Sequence, residues 1–328
     1  MHYLKLACRI TALFTVVLLA GCATAPPWPD LQPSTGDQQP SFELLGDVPF
    51  YPQEKYQCGP ASLAMMLNAQ GLDTTPEQLK DLVYIPERTG SLQVEMVATA
   101  RAHDMVVYPI DNDLKAVFAE VTQGHPVLVM QNLLFDWWPQ WHFAVVVGFN
   151  SHDKTVILNT DTRKHYAMAY ETFSATWQRA DGWAVVILPP DTLPATAKPL
   201  SYLRAAHDLE ATGHIAAADK AYVLATDTWP DEFAAWMALG NLRFSEGDWT
   251  GAVSGFSQAV QHFPKRPEGW NNLAFALDKA NCPSGAKDAL DCAQALAPNT
   301  FDDTGLDGES SGTSDNCPTL PACPTPPR

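Results

Sequence analysis

Apolar positions follow three regimes along this chain. Residues 10–21 read ITALFTVVLLAG, an apolar run too short for a comfortable membrane span. From about 42 to 190, helical spacings alternate with β-rich blocks. Ala61, Leu63, Ala64, Met65, Leu67 and Asn68 form a helix-competent run closed by Gly71. Gln78, Leu79, Leu82 and Val83 begin a second helix. Leu92, Met96, Val97 and Ala100 space a third, with Ser91 as its expected cap. Val106 to Ile110 reads as a strand, DNDLKAVFAEVTQG as a helix ending at Gly124, and PVLVMQNLL as a buried strand. HFAVVVGF (142–149) and TVILNT (155–160) flank the polar turn Asn150 to Lys154 and predict an antiparallel hairpin. WAVVILPP, from Trp183, closes the region as a strand ended by prolines. This mixture predicts an α+β domain over 42–190.

From about 200 to 300 the spacing is helical throughout and repeats every 34 residues. Trp236 recurs as Trp270, and Ala206, Gly240 and Ala274 are in register. Gly213, Gly247 and Asn281 correspond, as do Ala218, Ala252 and Ala286, and Tyr222, Phe256 and Leu290. Pro230, Pro264 and Pro298 close the units. Small residues let paired helices approach and aromatics fill the gaps between them. The pattern resembles three tetratricopeptide repeats, which implies an all-α solenoid whose concave face would take a peptide or protein partner. Residues 301–328 are of low complexity and are expected to be disordered.

The first region carries the candidate chemistry. Cys58 stands at the expected start of the first helix, followed by Gly59 and Pro60. Gly59 allows close backbone approach, and Pro60 suits a first turn because its missing N–H has no partner there anyway. A helix N-terminus offers free N–H groups and a positive dipole end, which favour a thiolate and an oxyanion. Gln53, five residues upstream, is a candidate oxyanion donor, and the adjacent Gln57 is a weaker one. His142 opens the first hairpin strand, where a base can face a cleft. With ordinary turn registers, two-residue parity brings Asn159 and Asp161 onto its face. Either could orient the imidazole through Nδ1 and leave Nε2 toward the thiol; both stay open. His103, His125, His152 and His165 share no spacing with a second ligand type and read as surface or structural residues. Trp137, Trp138 and Trp141 precede His142 and either wall a groove or pack onto the domain.

Gln53, then Cys58-Gly59-Pro60-Ala61-Ser62-Leu63, then Trp141-His142-Phe143-Ala144-Val145-Val146-Val147-Gly148 resemble the bacteriocin-processing, double-glycine peptidase-like family. The resemblance implies a papain-like fold with Cys58 as nucleophile, His142 as base and Gln53 in the oxyanion hole. The family's third residue is an Asp or Asn, nearest here to Asn159, with Asp161 as the alternative. Many members have Asp-Pro at that point, whereas this chain has Asn159-Thr160. The resemblance covers about 48–188 and looks closest to stand-alone envelope lipoproteins. It implies no cofactor.

Composition narrows the setting. Twenty Lys and Arg against 37 Asp and Glu give a formal charge of −17, which repels phosphate backbones and argues against nucleic acid as a partner. Leu19-Ala20-Gly21-Cys22 resembles a lipoprotein cleavage box. That implies a signal peptide over 1–21, lipid on Cys22 and a flexible proline-rich tether over 22–41. Ala23 after the cysteine implies an outer-membrane address facing the periplasm. Lipid would then join the chain to a membrane. Cys282, Cys292, Cys317 and Cys323 suit an oxidising compartment, with Cys282–Cys292 and Cys317–Cys323 as bridges it permits, although spacing does not fix the pairing. The leading expectation is a cysteine peptidase acting on a peptide or protein. Its alternatives are an inactive fold serving as an envelope scaffold, a cell-wall amidase and a transglutaminase-like acyl transferase.

Overall fold

A computed structural model describes residues 27–29, 41–53, 57–88, 90–306 and 317–325. The expected signal peptide, Cys22 and most of the tether lie outside these residues. Strands β1 (Phe42–Leu44), β4 (Val106–Pro109), β5 (Val127–Asn132), β6 (Trp141–Asn150), β7 (Thr155–Thr160), β8 (Arg163–Ala169) and β9 (Ala184–Leu188) form one seven-stranded sheet. Its order is β4-β9-β5-β6-β7-β8, with β1 added to β6. A small second sheet pairs β2 (Tyr84–Ile85) with β3 (Gly90–Ser91).

Helices cover both faces of the large sheet. On one face lie α1 (Cys58–Ala69), α2 (Pro76–Val83) and α3 (Gln93–Arg101). Leu63, Met65, Met66 and Leu67 of α1 are fully buried against Leu128, Phe143, Val145, Val147 and Val185. Thr75 and Gln78 close a capping box on α2. Ser91 does not cap α3. It lies in β3, and the cap position is Leu92, which makes no side-chain cap bond. Ser91 instead packs against Gly59, where a Cβ would fall 2.1 Å from its hydroxyl oxygen. That contact explains the glycine beside Cys58.

On the other face, α4 (Leu114–Thr122) and α5 (Tyr170–Gln178) pack on Val127, Val129, Ala144 and Val146. The stretch expected to be a loose tether touches this face. Trp28 lies 5.3 Å from both Phe118 and Tyr170, and the Tyr170 hydroxyl donates to the Pro27 carbonyl at 2.9 Å.

Six helices follow: α6 (Pro199–Ala211), α7 (Ile215–Thr228), α8 (Phe233–Ser245), α9 (Trp249–His262), α10 (Pro267–Lys279) and α11 (Pro283–Leu296). They pack as consecutive hairpins. Gly213, Gly247 and Asn281, spaced by 34, each hold positive φ at the turn inside a hairpin. Gly240 faces Phe256, whose ring would meet an added Cβ at 2.5 Å. The sheet's second core continues through Tyr202, Leu209 and Tyr222 to Leu239. The apolar interior is therefore shared between the sheet and the first helices.

The cysteines pair differently from the expectation. Cys282 joins Cys317, and Cys292 joins Cys323. Cys282 caps α11 and Cys292 lies ten residues along it, about 15 Å away by helical rise, too far for a direct bridge. The described tail residues 317–325 are thus fastened across the last hairpin, where Leu320 joins Phe301 and Leu306 on its core.

One buried carboxylate fixes the passage from sheet to helices. Glu120 accepts from the backbone N–H groups of Ala195 and Thr196, from the Thr196 hydroxyl and from His125. Burial pushes its carboxyl up, but the bonds from His125, Thr196 and Ala195 outweigh this and hold it below its ordinary value. Its contribution to stability is present above the ordinary carboxylate pKa and is lost as pH falls through the depressed one. Glu120→Gln should cost roughly 2–3 kcal/mol in urea unfolding at pH 7, with a smaller difference from wild type below pH 4. An equal difference at both pH values would remove the carboxylate's charge from the account.

Candidate active site

Cys58 is the first residue of α1 and is half-buried. Pro60 supplies no N–H, and the first helical bond runs from Ala61 N to Gln57 O. The N–H groups of Cys58 and Gly59 are left for the sulfur. That of Phe143, on β6, reaches it too, and all three favour the thiolate. Burial nevertheless outweighs them and pushes the thiol above its ordinary value. The helix terminus alone, as read from sequence, had pointed the other way.

Phe143 is the hinge of the arrangement. Pairing of β6 with β7 stops at Val145↔Asn159. Beyond it, the N–H and C=O of Phe143 turn to groups other than β7. The N–H meets Cys58, and the carbonyl accepts from Ser62 Oγ at 3.2 Å and Gln53 Nε2 at 3.4 Å. The thiol thus lies against the peptide unit that joins His142 to Phe143.

His142 makes its contact elsewhere than expected. Its Nε2 is hydrogen-bonded to Thr160 Oγ1 at 2.7 Å. Asn159 is buried and pairs with Val145, and its Oδ1 accepts from His165 N at 3.0 Å. The cause is a bulge. The pairing near the turn, Gly148↔Ile157, would carry Asn159 and Asp161 onto the His142 face. One extra residue, Val147, enters β6 between Val146 and Gly148 and shifts the register. Thr160 arrives in their place. The glycine in the middle of the strand was the available signal: an added Cβ at Gly148 would stand 2.4 Å from Glu43 O. Thr160 was missed, and so was Gln131, which pairs directly opposite His142 and donates to Thr176 Oγ1 at 2.6 Å.

Asp161 is in the left-handed region, at φ 54°, with an exposed side chain 4.0 Å from Arg163. Its carbonyl accepts from Gln53 N at 2.9 Å, tying the Gln53 segment to the hairpin. Burial is the main force on His142 and carries its pKa down to about 4, with the Asp161 charge opposing and the Arg163 charge adding. Thiol and imidazole are thus both neutral at rest. Nε2 is engaged by Thr160, so Nδ1 is the ring nitrogen left over, the reverse of the sequence-based assignment.

Gln53 is buried. Its Nε2 bonds Ser62 Oγ at 3.2 Å and the Phe143 carbonyl, and its Oε1 has no partner among the described residues. The amide therefore turns inward. Trp137, Trp138 and Trp141 do not pack onto the domain and are 79%, 66% and 51% exposed.

The sequence profile of the Peptidase_C39 like family matches residues 45–185, a span that contains Gln53, Cys58, His142 and Thr160. Among solved structures, the chain is similar to a protein described as a C39-like peptidase of Bacillus anthracis. Identity is 15%, the TM-score is 0.38, and 45% of this chain and 97% of that one are covered. It is also similar to the peptidase domain of Streptococcus ComA, a bifunctional ABC transporter involved in a quorum-sensing pathway. Identity there is 22% and the TM-score 0.35, covering 43% of this chain and 98% of that one. No curated protein matches the chain. The chain is distantly related to the C39 and C39-like peptidases, and its α+β part is consistent with their papain-like fold.

The His142 ring signal should titrate near pH 4 rather than 6.5 in proton NMR of Cys58→Ser protein. Protonation of a histidine with a lowered folded pKa opposes folding, so stability should fall as pH drops from 6.5 toward 4. Thr160→Val should shift the Nε2 nitrogen resonance while Thr160→Ser leaves it in place. A midpoint at the free-histidine value would contradict the buried geometry.

Proposed function

We propose that this protein is a cysteine peptidase acting on peptides or proteins, with Cys58 as nucleophile and His142 as base. The observation that carries the proposal is the meeting of the thiol with the His142–Phe143 peptide unit at a helix N-terminus. In this reading the Cys58 sulfur attacks the scissile carbonyl while its proton passes to neutral His142. The proton then leaves with the amine product. Water, deprotonated by His142, hydrolyses the thioester and restores the thiol. A neutral pair moves the proton during attack rather than before it. The N–H of Cys58 stabilises the oxyanion, joined by Gln53 when it releases one of its long inward bonds. Thr160 holds the imidazole.

The same proposal takes residues 1–21 as a signal peptide and Cys22 as a lipid anchor in the outer membrane, facing the periplasm. It takes α6–α11 as three tetratricopeptide repeats that recruit a protein substrate or partner. Their 34-residue spacing and the positive φ at Gly213, Gly247 and Asn281 support this. The raised thiol and inward Gln53 favour one further reading, a binding scaffold that is catalytically idle.

A proteome-derived peptide library incubated with the protein separates the two. Peptidase action gives new peptide ends that vanish in Cys58→Ala and fall roughly 10²–10⁴-fold in His142→Ala. Identical peptide ends with wild type and Cys58→Ala would leave the scaffold.

A further inference from the structure

The hairpin loop that leads into His142 exposes more aromatic surface than any other element described. Phe135 is 60% exposed, and Trp137, Trp138 and Trp141 more than half. Exposure of this kind ordinarily accompanies a floppy loop, but this one is built. The buried Asn132 accepts from Leu134 N at 3.1 Å and Gln140 N at 3.0 Å through one side-chain oxygen. Leu133 N bonds Gln140 O at 2.9 Å, and Trp138 N bonds Phe135 O at 3.0 Å. Arg179 donates two bonds to the Asn132 carbonyl, at 3.2 and 3.0 Å. Within the loop, Phe135 and Trp137 stack with their planes 5° apart, and Trp137 meets Trp138 edge-on. The rings are preorganised and still left to solvent, which costs apolar hydration unless something covers them.

Position indicates what covers them. Strand alternation puts Trp141 on the same sheet face as Phe143, two residues on, and that face carries α1 and Cys58. An extended chain advances about 3.3 Å per residue, so a few residues reach from the thiol across Trp141 to the loop. The loop's only ionisable group is Asp136, so it offers no basic attraction to acidic surfaces.

We propose that residues 133–141 form the substrate platform of this site, selecting polypeptides with an aromatic side chain within a few residues of the scissile bond. The proposal rests on Cys58 being the nucleophile. Phe135, Trp137 and Trp138 take the aromatic side chain by stacking, and Trp141 guides the chain from the platform to Cys58. The Asn132 braces keep the platform in place before substrate arrives, so little ordering is needed on binding.

The test uses two chloromethyl ketone tetrapeptides, one with Trp at its second residue and one with Ala there, and iodoacetamide as a small control. Labelling of Cys58 in the full chain is followed by mass spectrometry. Wild type should react about tenfold faster with the Trp probe than with the Ala probe. In Trp137→Ala/Trp138→Ala the ratio should fall toward one while the iodoacetamide rate holds. Both side chains are exposed, so the double variant should keep the fold. An unchanged ratio in the double variant overturns the proposal. Should Cys58 resist all three reagents, the peptidase reading fails separately. The platform is then read by tryptophan fluorescence of Cys58→Ser protein with the same peptides as amides. Saturable binding of the Trp peptide that needs Trp137 and Trp138 supports it. A blue shift with phosphatidylcholine vesicles and none with either peptide assigns the loop to lipid and overturns it.

Discussion

The site depends on how the backbone of Phe143 is satisfied. A buried N–H and C=O must find partners, and β7 withdraws from β6 just before they are reached. The first turns of α1 take the place of the missing strand. Cys58 receives the N–H, and Ser62 with Gln53 takes the carbonyl. Helix, strand and upstream segment are therefore locked at the backbone of one residue, Phe143, the neighbour of His142. On its other side, Gly59 lets the start of this helix pack directly on Ser91 of β3.

This closeness has an electrostatic consequence. The same packing that brings the thiol against the Phe143 N–H, next to His142 in the chain, buries both side chains, raising one pKa and lowering the other. Thr160, a neutral hydroxyl, does little to offset the cost of charging the ring. A carboxylate in its place would favour the imidazolium, whereas Asp161 stands further off and shares its charge with Arg163. In the proposed mechanism the proton passes from Cys58 to His142 only as a carbonyl accepts the sulfur.

The helical half is joined to this machinery rather than tethered to it. One apolar core runs from the sheet through α6 and α7, Glu120 staples the connecting segment, and Arg101 and Asp104 on the α3 side pair with Asp208 and His214. At the far end, two disulfides fasten the described tail residues over the last hairpin, where Leu320 packs on its apolar core. A ligand on the helices would therefore act on a body continuous with the sheet.

Local chemistry was legible in the residues themselves. The helix beginning at Cys58, the strand that carries His142 at its start, the strands around 106 and 127 and the 34-residue period follow from spacing, turn residues and propensity, all of which act within a few neighbours. What escaped the sequence depended on contacts between distant segments. One bulged residue exchanged Asn159 for Thr160 beside His142, because in a strand a single-residue shift reverses every side chain. Disulfide partners were set by where the tail crosses α11, and the thiol's resting charge by how deeply the sheet buries it. Sequence by itself determined which groups this protein has for chemistry. Tertiary packing decided which of them touch and in what protonation state, because register and burial are properties of segments brought together, not of any one of them.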